Sequence, residues 1–407
     1  MISTRCCVVG SGPAGMMLGL LLARGGVDVV VLEKHPDFLR DFRGDTVHPS
    51  TLEVLAELGM LERFLALPHQ EVAEIQAASG ERTVTFADFR HLPTRCRFVA
   101  FIPQWDFLDF LAGEARRSPA FDLRMETEAT GLLRDAGRVV GVRARDGGGE
   151  VEVRADLVVA CDGRNSVLRR EAGLPLVELG APIDVLWFRL SRSPEDPEAT
   201  MGRFDVGRVV VLINRGGHWQ IGYVVPKDGA QALRDRGLPA FRADIAAIVP
   251  FLADRVSELA TWDDVPVLSV RVNRLSRWWA PGLLCIGDAA HAMSPVGGVG
   301  INLAIADAVA AANLLAGPLR SGRPGNDHLA RVQRRRELPT RLTQGLQVLL
   351  QTRVLSPMLQ GHVESGTPTG LRLLDRFPVL RRVPGRLVGL GLRPEHVVSE
   401  LREGAYP

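Results

Sequence analysis

Three stretches of the chain carry residues whose types and spacing can do chemistry. Gly10-Ser-Gly12-Pro13-Ala14-Gly15 places glycines in a G-x-G-x-x-G pattern. The first glycine permits a tight turn, the second lets a diphosphate approach the backbone, and the third lets helix and strand pack closely. The first N–H groups of the following helix then face the anion. An apolar run over 5–9 precedes the loop, and a helical run over 16–24 follows it. A second apolar run over 27–32 ends in Glu33 and Lys34. An acidic side chain at that distance suits ribose hydroxyls, so the unit reads as a dinucleotide fingerprint. The second stretch is Asp162-Gly163, at the end of the apolar run 156–161. Asp162 also fits the N-cap of the helix that follows. The third is Gly287-Asp288, followed by Pro295 and by Gly297-Gly298-Val299-Gly300-Ile301-Asn302 at a helix start.

These residues need elements to hold them. The runs 5–9, 16–24 and 27–32 make a βαβ unit, with Gly25 and Gly26 stopping its helix. The spacing predicts helices over 49–66, 105–115, 231–259, 302–315 and 327–356. Strands are expected over 72–90, 121–161 and 283–286. Residues 182–225 hold strand runs without helices between them, which predicts an antiparallel sheet in a separate layer. The remainder, rich in Pro and Gly, reads as irregular. The fold class is α/β.

Composition narrows the function. The 407 residues carry 49 Lys plus Arg against 47 Asp plus Glu, a net charge of +2. Only Lys34 and Lys227 are lysines, and no arginine cluster dominates. That balance excludes a dedicated nucleic-acid binder. Five cysteines, without a CxxC or Cys/His spacing, predict buried thiols and no metal site. Arg5 and the run 16–23 imitate a signal peptide, but glycines and Pro13 interrupt it. No apolar stretch reads as the ~18 residues of a membrane span. A cytoplasmic protein without processing is expected.

The three motifs, in this order and separation, resemble the FAD-dependent aromatic hydroxylases, the single-component flavoprotein monooxygenases of the para-hydroxybenzoate hydroxylase type. The likeness runs from about residue 4 to about residue 320. It implies a Rossmann-like FAD-binding domain of the GR2 type, an inserted antiparallel-sheet substrate domain and C-terminal helices. The FAD domain would comprise 1–71, 98–178 and 267–325. Residues 72–97 and 179–266 would form the substrate domain, and 326–407 a helical segment. For the site it implies flavin-ribityl contacts from Asp288 and Gln104, and a backbone contact to the adenine from Ala129. Asp162 and Gly163 would serve both FAD and the nicotinamide nucleotide. The helix start at 298–302 would face the flavin pyrimidine edge. Arg43 and Pro295 would act beside the reacting ring. The implied reaction uses NADH or NADPH as transient reductant and O2, passing oxygen from a C4a-hydroperoxyflavin to a phenolic or polycyclic aromatic substrate. Strand periodicity makes Trp187 with Arg189, or Trp219 with Tyr223, candidate pocket linings. Baeyer–Villiger oxidation, N-oxidation, a flavin reductase without O2 chemistry and a non-catalytic nucleotide-binding protein stay open. So do monomer and homodimer.

Overall fold

The computed structural model describes residues 1–39, 45–79, 82–205, 207–361 and 369–403. Among the described residues the first layer is an eight-stranded sheet. Strand Ile2–Val9 lies at its centre, parallel to Val29–Leu32 on one side and Gly149–Ala160 on the other. Phe121–Arg124 and Leu283–Cys285 extend it in parallel. These strands are apolar on both faces because helices cover both. The fingerprint helix Pro13–Arg24 is buried over ten of its twelve residues. It packs on the helix Gly300–Ser321, whose small residues allow close approach. Burial pushes the Cys7 thiol up to about 12, so it packs as an apolar group.

The expectation that no apolar stretch reaches membrane-spanning length does not hold. The stretch Val296–Ser321 is long and apolar enough to cross a bilayer, and 72% of its apolar window is buried inside the protein. Its many alanines and glycines are only weakly apolar one by one, yet few charges interrupt the stretch. It is the central helix of the fold, flanked by Pro13–Arg24 and Asn326–Leu350.

The second layer is a seven-stranded sheet of mostly antiparallel strands. Ile183–Ser191, Arg208–Asn214 and His218–Pro226 form its middle, and Glu74–Ser79 and Arg82–Asp88 complete one edge. One face is covered by helix Leu238–Ile248 and its neighbours. The other looks toward the first layer. The helix predicted over 49–66 is two helices, Pro49–Glu57 and Leu61–Leu65, broken where Gly59 takes a positive φ of 67°. The C-terminal stretch read as irregular holds helices Thr369–Arg376 and Arg382–Gly389. Pro378 and Pro384 sit in first turns, where a missing N–H does no harm.

Candidate active site

Gly10 ends the central strand with φ +99°, and a Cβ there would collide with the Cys161 carbonyl. A Cβ on Gly15 would collide with the Gly10 carbonyl, whereas one on Gly12 would meet no atom within 4 Å. The loop is therefore tight at its first and third glycines and open at its second. No side chain caps the helix, and the first intrahelical bond runs from Met16 N–H to Gly12 O at 2.9 Å. The N–H groups of Ala14 and Gly15 precede that bond, with Pro13 at the first helical position. This is the donor set a diphosphate requires.

Glu33 closes the next strand. Its carboxylate accepts from Ser11 N–H at 3.1 Å, Ser11 Oγ–H at 2.6 Å and His35 N–H at 3.1 Å. The acid thus braces the glycine loop through Ser11. Lys34 beside it is exposed. Thr127 N–H donates to Glu33 O at 2.7 Å, which brings half-buried Ala129 to the same end of the sheet.

Asp162 and Asp288 come from two other strand ends. Asp162 Oδ2 accepts from Val167 N–H at 2.9 Å and Leu168 N–H at 3.3 Å, capping that short helix. Its Oδ1 is buried without a protein partner, and burial raises the carboxyl's pKa. An unpartnered buried acceptor at this position fits a ligand hydroxyl or amide. Gly163 turns the chain with φ +79°. Asp288 Oδ2 pairs with Arg164 at 3.2 Å and remains about one-third exposed. Arg169, absent from the sequence expectations, clamps the two turns together. It donates to Ala289 O at 3.1 Å and to Arg164 O at 2.8 Å. Only its place in the run Asp162 to Arg170 hinted at this.

The third wall is the turn from Pro295 to Gly300. Thr46 Oγ1 donates to Gly298 O at 2.9 Å. Asn302 Oδ1 accepts from His48 N–H at 3.0 Å and Thr51 Oγ1 at 2.7 Å. The Asn302 side chain is therefore engaged, and the backbone N–H groups of Gly300, Ile301 and Asn302 form the helix start. Leu303 N–H to Val299 O is the first bond of that helix. Gln104 opens helix Gln104–Ala115, half-buried. Arg43 lies outside the described residues.

Two pocket candidates are corrected by the sheet register. Trp187 pairs with Gly222 and Leu186 with Tyr223. Trp219, Ile221 and Tyr223 therefore share the face of Leu186 and Phe188, which helices cover. Tyr223 stacks edge-on against Phe241 at 5.2 Å, and Trp219 Nε1–H donates to Asp196 at 2.8 Å. Both are core residues. Trp187 and Arg189 lie on the inward face. Trp187 and, from the turn, Val296 both pack against a buried cluster that includes Val185, Val209, Val224 and Leu359. Its Nε1–H is buried without a protein partner. Arg189 stands exposed opposite Gln220. Across the same gap, Arg215 forms a buried ion pair with Asp45.

The two histidines near the site are not bases in waiting. His291 Nε2 lies 2.5 Å from Asp307 Oδ2 in the core. His48 is buried, with Nδ1 2.7 Å from Val388 O. Burial pushes its pKa down to about 4, and the Val388 bond offsets only part of that. Above roughly pH 6.5 the ring is neutral folded or unfolded. Between there and about pH 4 the unfolded chain takes up the proton first, so stability falls with pH, by at most roughly 3 kcal/mol from this group. His48→Gln should flatten that acid limb in urea titrations. An unchanged slope between pH 7 and pH 4 would remove His48 from this role. Among the described residues no cluster of His, Cys, Asp or Glu is placed to hold a metal ion.

Asp288 carries a second expected result. Its side chain is partly exposed and makes one surface-type ion pair, so Asp288→Ala should change the melting temperature little. Loss of its acceptor oxygens should weaken flavin nucleotide binding by roughly ten-fold or more, read by calorimetry on apoprotein. Equal affinity in parent and variant would refute the contact.

The chain is similar to known proteins over most of its length. The FAD binding domain family matches residues 3–345. The 6-methylpretetramide 4-monooxygenase of Streptomyces rimosus is 35% identical, over 99% of this chain and 96% of that one. The p-nitrophenol 4-monooxygenase PnpA from Pseudomonas putida superposes with a TM-score of 0.77 at 20% identity, covering 97% of this chain and all of the other. The OxyS anhydrotetracycline hydroxylase from Streptomyces rimosus does so at 0.75 and 22% identity, covering 98% of this chain and 78% of that one. The chain belongs to the FAD-dependent aromatic hydroxylase family and is an FAD-dependent monooxygenase.

Proposed function

We propose that the enzyme uses NADH or NADPH and O2 to hydroxylate a polycyclic phenol of the aromatic polyketide class. The observation that carries this reading is the apolar wall of the inward sheet face. Val185, Val209 and Val224 are buried in one cluster with Leu359, and the partly buried Trp187 and Val296, the latter from the Pro295–Gly300 turn, pack at its margin. A flat aromatic substrate fits between such a wall and a flavin held by that turn. The full-length likeness to a monooxygenase named for 6-methylpretetramide supports a fused-ring substrate.

FAD, when bound, supplies the electron storage and O2 activation that side chains lack. The chain's own residues bind and orient. Gly12, Ala14 and Gly15 would present backbone to the diphosphate, and Asp288 would accept from the ribityl hydroxyls. Asp162 Oδ1 would accept from the nucleotide. The start of helix Gly300–Ser321 favours negative charge at the pyrimidine edge of a reduced ring. The apolar wall excludes water from the transfer of oxygen to the substrate. The Trp187 indole N–H is the wall's donor toward a substrate oxygen. We place the enzyme in the cytoplasm, where the reduced nucleotide is made.

The test is turnover under labelled O2. NAD(P)H oxidation should accelerate with a polycyclic phenol such as anhydrotetracycline or 1,8-dihydroxyanthraquinone. Mass spectrometry should then find one labelled oxygen atom in the product. Substrate-independent NAD(P)H oxidation that yields only hydrogen peroxide across the panel would overturn the proposal.

A further inference from the structure

The C-terminal segment 369–389 has an unusual surface. Leu373, Phe377, Val379, Leu380 and Val383 are each between 38% and 65% exposed. They fall within eleven residues, across helix Thr369–Arg376, the turn Pro378–Arg381 and the start of helix Arg382–Gly389. Exposed apolar side chains scattered singly need no explanation, but a run of this density does. The same segment carries five arginines and one aspartate, and no lysine or glutamate. The whole chain has a net charge of only +2, so this short stretch is more basic than the rest of the molecule, which is net acidic. Arg382 and Arg386 are exposed, and the Arg376 guanidinium lies 5.9 Å from the Phe377 ring centre.

We propose that this segment docks the enzyme on an anionic phospholipid surface, lying in the headgroup plane without spanning it. Apolar side chains beside arginines are the chemistry of interfacial helices, and the cations match acidic headgroups. A second copy of the chain is disfavoured as occupant, since it would bring the same arginines face to face. The segment rests on the edge strand Arg82–Asp88, so it is held outward by the fold. The chain then runs directly into Val388 and Leu390, which pack with Trp187 and Phe101 beside the inward sheet face. The docking surface thus continues into the apolar cluster against which Trp187 packs. The docking itself does not depend on the polycyclic-substrate reading, because it is measured without turnover.

The test uses the full chain loaded with FAD. Co-sedimentation with phosphatidylcholine vesicles containing phosphatidylglycerol should recover the protein, and vesicles of phosphatidylcholine alone should not. High salt should release it. The double substitution Phe377→Ser with Val379→Ser, and separately Arg382→Gln with Arg386→Gln, should each lower partitioning by about ten-fold, as lost interfacial area or charge requires. Flavin absorbance and melting temperature should stay as in the parent. Three results would overturn the proposal. The first is no recovery with acidic vesicles, and the second is recovery that neither double variant reduces. The third is a dimer in sedimentation equilibrium that Phe377→Ser with Val379→Ser dissociates.

Discussion

Gly12→Ala should give a protein with parental stability and no flavin. The open space over Gly12 and its φ of −64° both admit an alanine in the apoprotein. The added methyl would stand where a diphosphate must touch the backbone. Gly15→Ala should fail differently. Its Cβ would meet the Gly10 carbonyl, and backbone has no rotamer with which to escape. Overpacking of that kind costs about 1–3 kcal/mol, so flavin and melting temperature should fall together. Thermal denaturation of the two apoproteins, with absorbance of the two purified holoproteins, separates the cases. A Gly12→Ala protein that purifies yellow with a full complement of FAD would falsify the diphosphate placement.

Asp307→Ala should be the most destabilising single change near the site. Asp307 is fully buried in an apolar helix. Its Oδ1 accepts from Arg336 Nε at 3.0 Å, and its Oδ2 accepts from Gly287 N–H at 3.1 Å and faces His291. Arg336 is itself 1% exposed and also holds Glu395 at 3.1 Å. Removing the carboxylate leaves the buried guanidinium with Glu395 as its remaining carboxylate partner and takes the acceptor from Gly287 N–H and His291, at a cost of about 3 kcal/mol. Burial alone would raise the Asp307 pKa, but His291 and Arg336 hold it below the usual carboxylate value. Its stabilising effect is therefore present above ~pH 4 and lost as the pH falls below that. Gly287 immediately precedes Asp288, so flavin affinity should drop as well. Chemical denaturation of Asp307→Ala and Asp307→Asn checks this. A change under about 1 kcal/mol in both would mean that Glu395 alone is enough to hold Arg336 in the core.

These two predictions also show which parts of the molecule were legible from residue order. The fingerprint was legible because each of its constraints is local. Strand, turn, helix and second strand all lie within thirty residues, and each glycine answers to a neighbour already in the motif. The layers were legible for a similar reason, since continuous apolar runs and alternating ones read differently. The face a strand presents was not. Trp219 and Trp187 sit in similar runs, and only the pairing of Trp187 with Gly222 decides which one looks inward. Asp307 and Arg169 were missed because their partners are distant in sequence. A lone acid in an apolar helix is the kind of signal that could have marked Asp307. The helices of 369–389 were hidden by prolines that break a helix in its middle and tolerate its start.

The way Arg169, Asp307 and Arg336 tie the site together has a consequence for the birth of the enzyme. The glycine loop leaves the ribosome first, yet its strand needs Gly149–Ala160 as a neighbour. The turn at Gly287 needs Asp307, which needs Arg336, which in turn holds Glu395. A nascent chain therefore has the fingerprint long before it has a socket. Flavin capture should therefore come late in synthesis, and a chain stopped shortly before residue 395 is expected to hold flavin weakly however complete its motifs.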